Sequence, residues 1–415
     1  MIINNIKTLL RIFLYSLSNL FVLIISFIIH RDKRYILFGS WMGEKYADNS
    51  RFLYQYLFNN KEKYGIKKVI WVTRNKDVYQ KLINNGFESY LIGTKESTYW
   101  HLKSGIHIIC NMSAQSGKHK PDIDVKFSTG AKKIQLWHGV GIKAVGANSN
   151  ISQSLPQNRR SRWVVNFANK KFIRKIGFLG GWGEPKLLCT SELNRKINID
   201  NSKIHSENAF ISAYPRYCDN EFYFENERLT ISKISKYNLS ILYLPTFRDK
   251  TSSYKSPIVY TELINLLNRY NILWIQKPHQ AELNQLAKAE CENILDLSPA
   301  FDINTIIKSV DIIVSDYSSA AFDGIYLNKS VIFYVPDLNE YMNGSNGLLM
   351  NLNELCPSLL ATNCSELCNQ IQEVIDNTYF TEERNNTIKS IKQSFYSDIS
   401  ADYDLIWNDI QNSIK

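Results

Sequence analysis

Short apolar runs separated by polar, helix-patterned stretches recur along most of the chain: RYILF, KKVIWVT, HIICN, KIQLWH, KLLCTS and NAFISAYP come first. Such runs predict parallel strands joined by crossover helices, because a strand covered on both faces has no polar side to show. A second series follows in LSILYLPTFRD, ILWIQKPH, NILDLS, VDIIVSDYSS and SVIFYVPD. Between the two, Phe222–Tyr237 is charged and helix-like without a strand signal, and it marks a boundary. The pattern therefore predicts two Rossmann-like α/β domains, residues 35–225 and 226–415, the latter ending in polar helices from Thr381. Their sheets should face a common cleft with their carboxyl ends.

One stretch departs from this rhythm. Ile12–Ile29, IFLYSLSNLFVLIISFII, runs for 18 residues without a charge. As a helix it would be about 27 Å long, close to the hydrocarbon thickness of a bilayer, so it could span, tilt or lie shallow. Lys7 and Arg11 precede it and Arg31, Lys33 and Arg34 follow. The positive-inside rule then puts the globular part on the cytoplasmic face of the cell membrane. A cleaved signal peptide and a buried core helix are the competing readings, although no A-x-A-like site follows and strand-like RYILFGS begins at once. Residues 1–34 are read as a membrane-associated segment.

Composition narrows the partners. With 415 residues, 44% hydrophobic and 21% charged, the chain is neither disordered nor fibrous. Lys and Arg outnumber Asp and Glu by 49 to 39, giving +10, of which residues 1–34 carry +4. That balance, with a pI near 9.0, favours nucleotides, phosphate polymers or lipid headgroups. Aromatic residues do not interleave with a basic stripe, so nucleic acid is not an indicated partner. Seven cysteines without a CxxC pair indicate neither a zinc site nor a disulfide framework, and suit a reducing compartment.

Candidate chemistry gathers where strands end. In VDIIVSDYSSAAFDG a buried-type strand runs into a helical segment, so Ser318 and Ser319 fall near a helix N-terminus. Free backbone N–H groups and two hydroxyls there suit a phosphate, and serve equally as an ordinary helix cap. YLPTFRDK places Thr246, Arg248 and Asp249 past another strand, where the arginine can meet a diphosphate or pair with the aspartate in solvent. IQKPHQ places Lys277 and His279 past a third, with a proline that forces the turn. In QLWHGVGIK, His138 ends a strand of the first domain, glycines follow, and Lys143 is expected on the next helical turn. Facing the phosphate cradle, His138 could deprotonate an attacking hydroxyl; otherwise it only bonds a turn.

Taken in order, WHGVGIK, PTFRD, KPH and DYSSAAFD, with YADNSRFLYQYL at 46–57 and AYPR at 213–216, resemble the CDP-glycerol glycerophosphotransferase family. These are the primases and polymerases of teichoic acid and of related phosphate-containing capsule polymers. The resemblance covers roughly residues 34–350. It implies a GT-B-type fold, with donor nucleotide on the second domain and acceptor on the first. It implies transfer of glycerol phosphate, or a similar polyol phosphate, from a CDP-activated donor to a hydroxyl of a lipid-linked saccharide or polymer acceptor, releasing CMP. His138 carries over as the base and His279 as the second catalytic histidine, at the donor phosphates. Arg248, Ser318 and Ser319 map onto donor phosphate binding. Lys143, Arg216, Thr246, Asp249, Lys277, Asp316 and Asp323 complete the candidate substrate contacts. Where the family often has Thr and Pro after WHG, this chain has Val140 and Gly141, and Gln280 follows the second histidine. No acidic constellation demands a metal, and a divalent cation is left open as cofactor. The competing functions are a glycosyltransferase using a nucleotide-sugar and a catalytically silent, membrane-tethered binding protein.

Overall fold

The computed structural model describes residues 28–111, 120–143, 184–202, 204–220, 222–246, 254–277, 291–343 and 347–415, with scattered positions from 10 to 25. Two parallel sheets carry the chain. The first holds β1 (Asp32–Gly39), β2 (Lys68–Thr73), β3 (Ser89–Leu91), β4 (Ser104–Ile109), β5 (Lys132–Gln135), β6 (Lys186–Cys189) and β7 (Ala209–Ile211) in the order β3-β2-β1-β4-β5-β6-β7. The second holds β8 (Leu239–Leu244), β9 (Ile272–Gln276), β10 (Ile294–Asp296), β11 (Ile312–Ser315), β12 (Ser330–Tyr334) and β13 (Leu360–Ala361) in the order β10-β9-β8-β11-β12-β13. Each sheet reverses its winding once, between β1 and β4 and between β8 and β11, and such switch points are where open α/β sheets bind ligands.

The central strands are the ones the apolar runs predict. In β9 every residue of ILWIQ is buried, and in β11 every residue of IIVS. Two short edge strands, SYL in β3 and LA in β13, carry too few apolar residues to stand out in the sequence. The expected boundary helix forms at Glu225–Ile234.

The two halves are closely joined. Tyr217 stacks on Tyr326 with ring centroids 4.1 Å apart, and Leu349 N donates to Ile142 O at 2.7 Å. The last helices, Glu382–Phe395 and Tyr403–Ser413, return to the first sheet's side. Thr190 Oγ1 donates to Phe395 O at 2.7 Å, and Ser212 Oγ to Asp409 Oδ2 at 2.7 Å. The described positions from 10 to 29 are helical, and Leu10, Phe13, Phe21 and Ile28 lie exposed on them. Among the described residues, no helix is long and apolar enough to cross a membrane.

Candidate functional site

Strand ends from both sheets converge on one cavity of about 230 Å³. The first half contributes Trp41, Lys45, Asp48, His138 and Arg216, the second Lys277, Asp302, Ser318, Ser319 and Asp323. Six of the sequence candidates therefore meet in one place: His138, Arg216, Lys277, Ser318, Ser319 and Asp323. Arg248, Asp249 and His279 lie outside the described residues.

His138 follows β5 through a backbone that turns at Trp137, whose φ is +62°. Asn49 holds that turn by donating from Nδ2 to Trp137 O at 2.9 Å, so the YADN segment acts on the WHG segment directly. The imidazole lies between Trp137 and Trp41, 4.4 and 5.6 Å from their ring centroids. Its Nδ1 is buried, with no hydrogen-bond partner among the described residues. Burial, and then the positive Arg216, push its pKa down to about 4, below the near-neutral value expected of a catalytic imidazole. The ring is therefore neutral at pH 7, with a lone pair ready to take a proton.

Gly139 follows where the first half passes close to the second half's helix. A Cβ built there would lie 2.4 Å from Ser319 Oγ, so only glycine lets the histidine loop meet the second half's helix. Val140 and Ile142 are fully buried in the core, and Lys143 continues extended, bridged to Leu348. This corrects the expected helical turn at Lys143: apolar residues at alternate positions select an extended segment. Lys143 Nζ donates to Thr246 Oγ1 at 2.9 Å.

Opposite His138, Ser318 caps the helix Ser319–Tyr326, its Oγ accepting from Ala320 N. Asp316, two residues earlier at the end of β11, accepts from Thr246 N at 2.8 Å and from Thr246 Oγ1 at 2.6 Å. Asp316 and Thr246 thus fasten the β8 and β11 ends together beside the cavity, and neither is among its lining residues.

Arg216 is the charged centre of the junction. It donates to Asp48 Oδ1 at 2.7 Å and to Asp323 Oδ1 at 2.6 Å, both buried, and to His138 O at 2.9 Å, partly buried. Burial acts against its charge, but the carboxylates of Asp323 and Asp48 outweigh it and hold the guanidinium well above its ordinary value. Burial in turn raises both carboxyls. Arg216 Nε has no hydrogen-bond partner among the described residues.

Trp41, Lys45, Asp48 and Asp302 also line the cavity and were not among the site residues expected from the sequence, although Asp48 belongs to the YADN segment. Lys45 Nζ donates to Pro299 O at 3.0 Å, across the junction. Burial and the neighbouring Lys277 lower its pKa to about 8. Lys277 donates to Phe301 O at 2.6 Å and is also lowered by burial. Neither ammonium has a carboxylate within ion-pair distance among the described residues, and Asp302 and Asp48 only partly offset the burial of each. Asp302 accepts from Asp48 N at 3.0 Å, so its charge supports the backbone of the first half. Trp41, Met42 and Asp48 all have φ between +43° and +64°, and such strain in non-glycine residues collects at functional sites.

Among the described residues one group of side chains lies close enough to share a metal ion, Glu262 with Cys364 and Cys368, and none of them lines the cavity. The cavity's own carboxylates are already engaged, Asp48 and Asp323 with Arg216 and Asp302 with the Asp48 backbone, which leaves Lys45 and Lys277 as the cations that face its space.

A sequence model of the CDP-Glycerol:Poly(glycerophosphate) glycerophosphotransferase family matches residues 21–401. A teichoic acid poly(glycerol phosphate) polymerase of Bacillus spizizenii is 27% identical over 80% of this chain and 81% of its own. A teichoic acid glycerol-phosphate transferase of Staphylococcus aureus is 24% identical over 83% of this chain and 84% of its own. Among solved structures, the wall teichoic acid polymerase TagF superposes with a TM-score of 0.67 at 19% identity, covering 100% of this chain and 99% of that one. That likeness speaks for the fold.

Proposed function

Because the chain belongs to the CDP-glycerol:poly(glycerophosphate) glycerophosphotransferase family, we infer that it transfers glycerol phosphate from CDP-glycerol to a hydroxyl of a teichoic acid chain and releases CMP. It is a transferase of teichoic acid synthesis. In our reading the acceptor is lipid-linked, the enzyme works at the cytoplasmic face of the membrane, and the donor sits mainly on the half beginning near residue 226.

The observation that carries the residue roles is that His138, its Nδ1 without a hydrogen-bond partner among the described residues, lines one cavity together with the capped helix N-terminus at Ser318 and Ser319. In this reading the diphosphate lies against Ser318, Ser319, Lys277 and Lys45, with Arg248, Asp249 and His279 as further contacts. The acceptor oxygen attacks the β-phosphorus, the bond from that phosphorus to the bridging oxygen breaks, and CMP departs with the electron pair. His138 takes the hydroxyl proton. The ammonium groups and helix N–H groups offset charge on the transferring phosphate, in a site closed enough for them to act strongly. Arg216, already balanced by two carboxylates, positions His138 through its carbonyl.

The test is CMP release from CDP-glycerol with a glycerophosphate acceptor. His138→Ala should lower the rate by about 10² to 10⁴ while CDP-glycerol still binds. Near-normal turnover in the folded variant would remove the base from this mechanism. Release of a nucleotide from a nucleotide-sugar, with none from CDP-glycerol, would overturn the donor.

A further inference from the structure

A second cavity, of about 260 Å³, adjoins the first and shares Lys45, Phe301 and Asp302 with it. Resting on the transfer reading above, we propose that this cavity holds a phosphodiester of the acceptor chain, next to its reacting hydroxyl, with Lys45 and Lys81 as the cations that meet it.

Its cations differ in what they are already doing. Arg51 is spent: both its terminal nitrogens donate to Glu227, at 2.6 and 2.7 Å, and Asp302 lies 3.7 Å away. Lys45 touches a carbonyl, and Lys81 donates to Asn226 Oδ1 at 3.2 Å while its Nζ lies 3.7 Å from the centre of the Phe224 ring. Neither lysine has a carboxylate within ion-pair distance among the described residues, and burial lowers both. A phosphodiester keeps one negative charge across the physiological range, and placed between them it would restore charge balance to each.

The setting suits a chain rather than a compact ligand. Asp77, Asn226, Ser298 and Ala300 line the cavity and are exposed, so its far side opens to solvent and a polymer can leave there. The exposed carboxylates of Glu44 and Asp77 can accept from polyol hydroxyls between phosphates. Lys45, common to both walls, would then stand between the phosphate being transferred and the one already in the acceptor.

The experiment compares two acceptors on the full chain: a glycerophosphate oligomer, and a glycerol-terminated acceptor without an internal phosphodiester. Lys81→Ala should raise KM for the oligomer about tenfold, the loss of one charged contact, and leave KM for CDP-glycerol and for the phosphate-free acceptor unchanged. Lys81→Arg should restore much of it. Oligomer binding without donor, measured directly, should weaken in Lys81→Ala while CDP-glycerol binding persists. Equal changes for both acceptors, or oligomer binding that Lys81→Ala leaves intact, would overturn the subsite. Failure of the wild-type chain to bind CDP-glycerol would instead overturn the transfer reading beneath it.

Discussion

His138 takes its chemistry from what surrounds it rather than from its residue type. An exposed imidazole titrates near 6.5, whereas here burial and Arg216 bring it to about 4. The free enzyme should therefore keep its kcat/KM as pH falls from 7 to 6, and lose it only toward pH 4, since kcat/KM reports the free enzyme's essential base. A profile bending near 6.5 would mean that the imidazole is not buried as described. Stability runs with the same sign. A histidine held neutral in the fold and charged in the unfolded chain contributes stability above pH 6.5 that is lost as pH falls to about 4. The acid limb is therefore to be read in brief assays, with recovery checked on return to pH 7. When a donor diphosphate binds nearby, its negative charge should raise the imidazole pKa and move the kcat limb upward relative to that of kcat/KM.

At the scale of elements, the helix Ser319–Tyr326 poses a question that its sequence left open, because Ser318 can cap a helix with or without a ligand. Ser318→Asp separates the two roles. Aspartate caps as well as serine, so thermal stability should stay within about 1 kcal/mol of wild type, while its charge repels a phosphate and should raise KM for CDP-glycerol by tenfold or more. An unchanged KM would leave Ser318 as a cap alone. That the candidate residues gather at strand ends was legible because buried strands announce themselves: VDIIVS and ILWIQ are continuous apolar runs, and Ser318 and Lys277 stand at their ends. His138 was legible for the same reason. The edge strands β3 and β13, with three and two residues, rest on pairing with a neighbour rather than on their own composition. Lys45 was hidden, and the part of Asp48 in the YADN segment was not apparent, because a left-handed backbone at Trp41, Met42 and Asp48 brings them to the cleft, and no residue type advertises it. Asp302 was hidden by distance along the chain, since its partner in the first half, Asp48, lies 254 residues away. AYPR suggested a ligand contact at Arg216, and its Asp48 and Asp323 partners show that the same side chain also closes the junction.

For the molecule as a whole, the proposed lipid-linked acceptor calls for a surface that can meet a membrane. Leu10, Phe13, Leu14, Leu17, Leu20, Phe21, Ile24 and Ile28 are between 48 and 71% exposed, an apolar surface with no covering partner among the described residues. At the junction with the body, the Arg31 side chain donates to the carbonyls of His101, Ser104, Phe127 and Thr129, which fixes where the segment leaves the first sheet. A chain starting at Arg31 would keep that anchor and lose the apolar residues, so it should fold and release CMP with a soluble acceptor. It should also lose flotation with vesicles containing anionic lipid, which the full chain should retain. Salt separates the two forces involved. Lys7, Arg11, Lys33 and Arg34 would each contribute about 1 kcal/mol near an anionic surface, and that attraction collapses at about 1 M salt, where the Debye length is near 3 Å. Apolar burial persists there. Flotation of the full chain that survives high salt therefore assigns the binding to the exposed leucines and phenylalanines, and flotation that the shortened chain shares would remove residues 10–30 from membrane contact altogether.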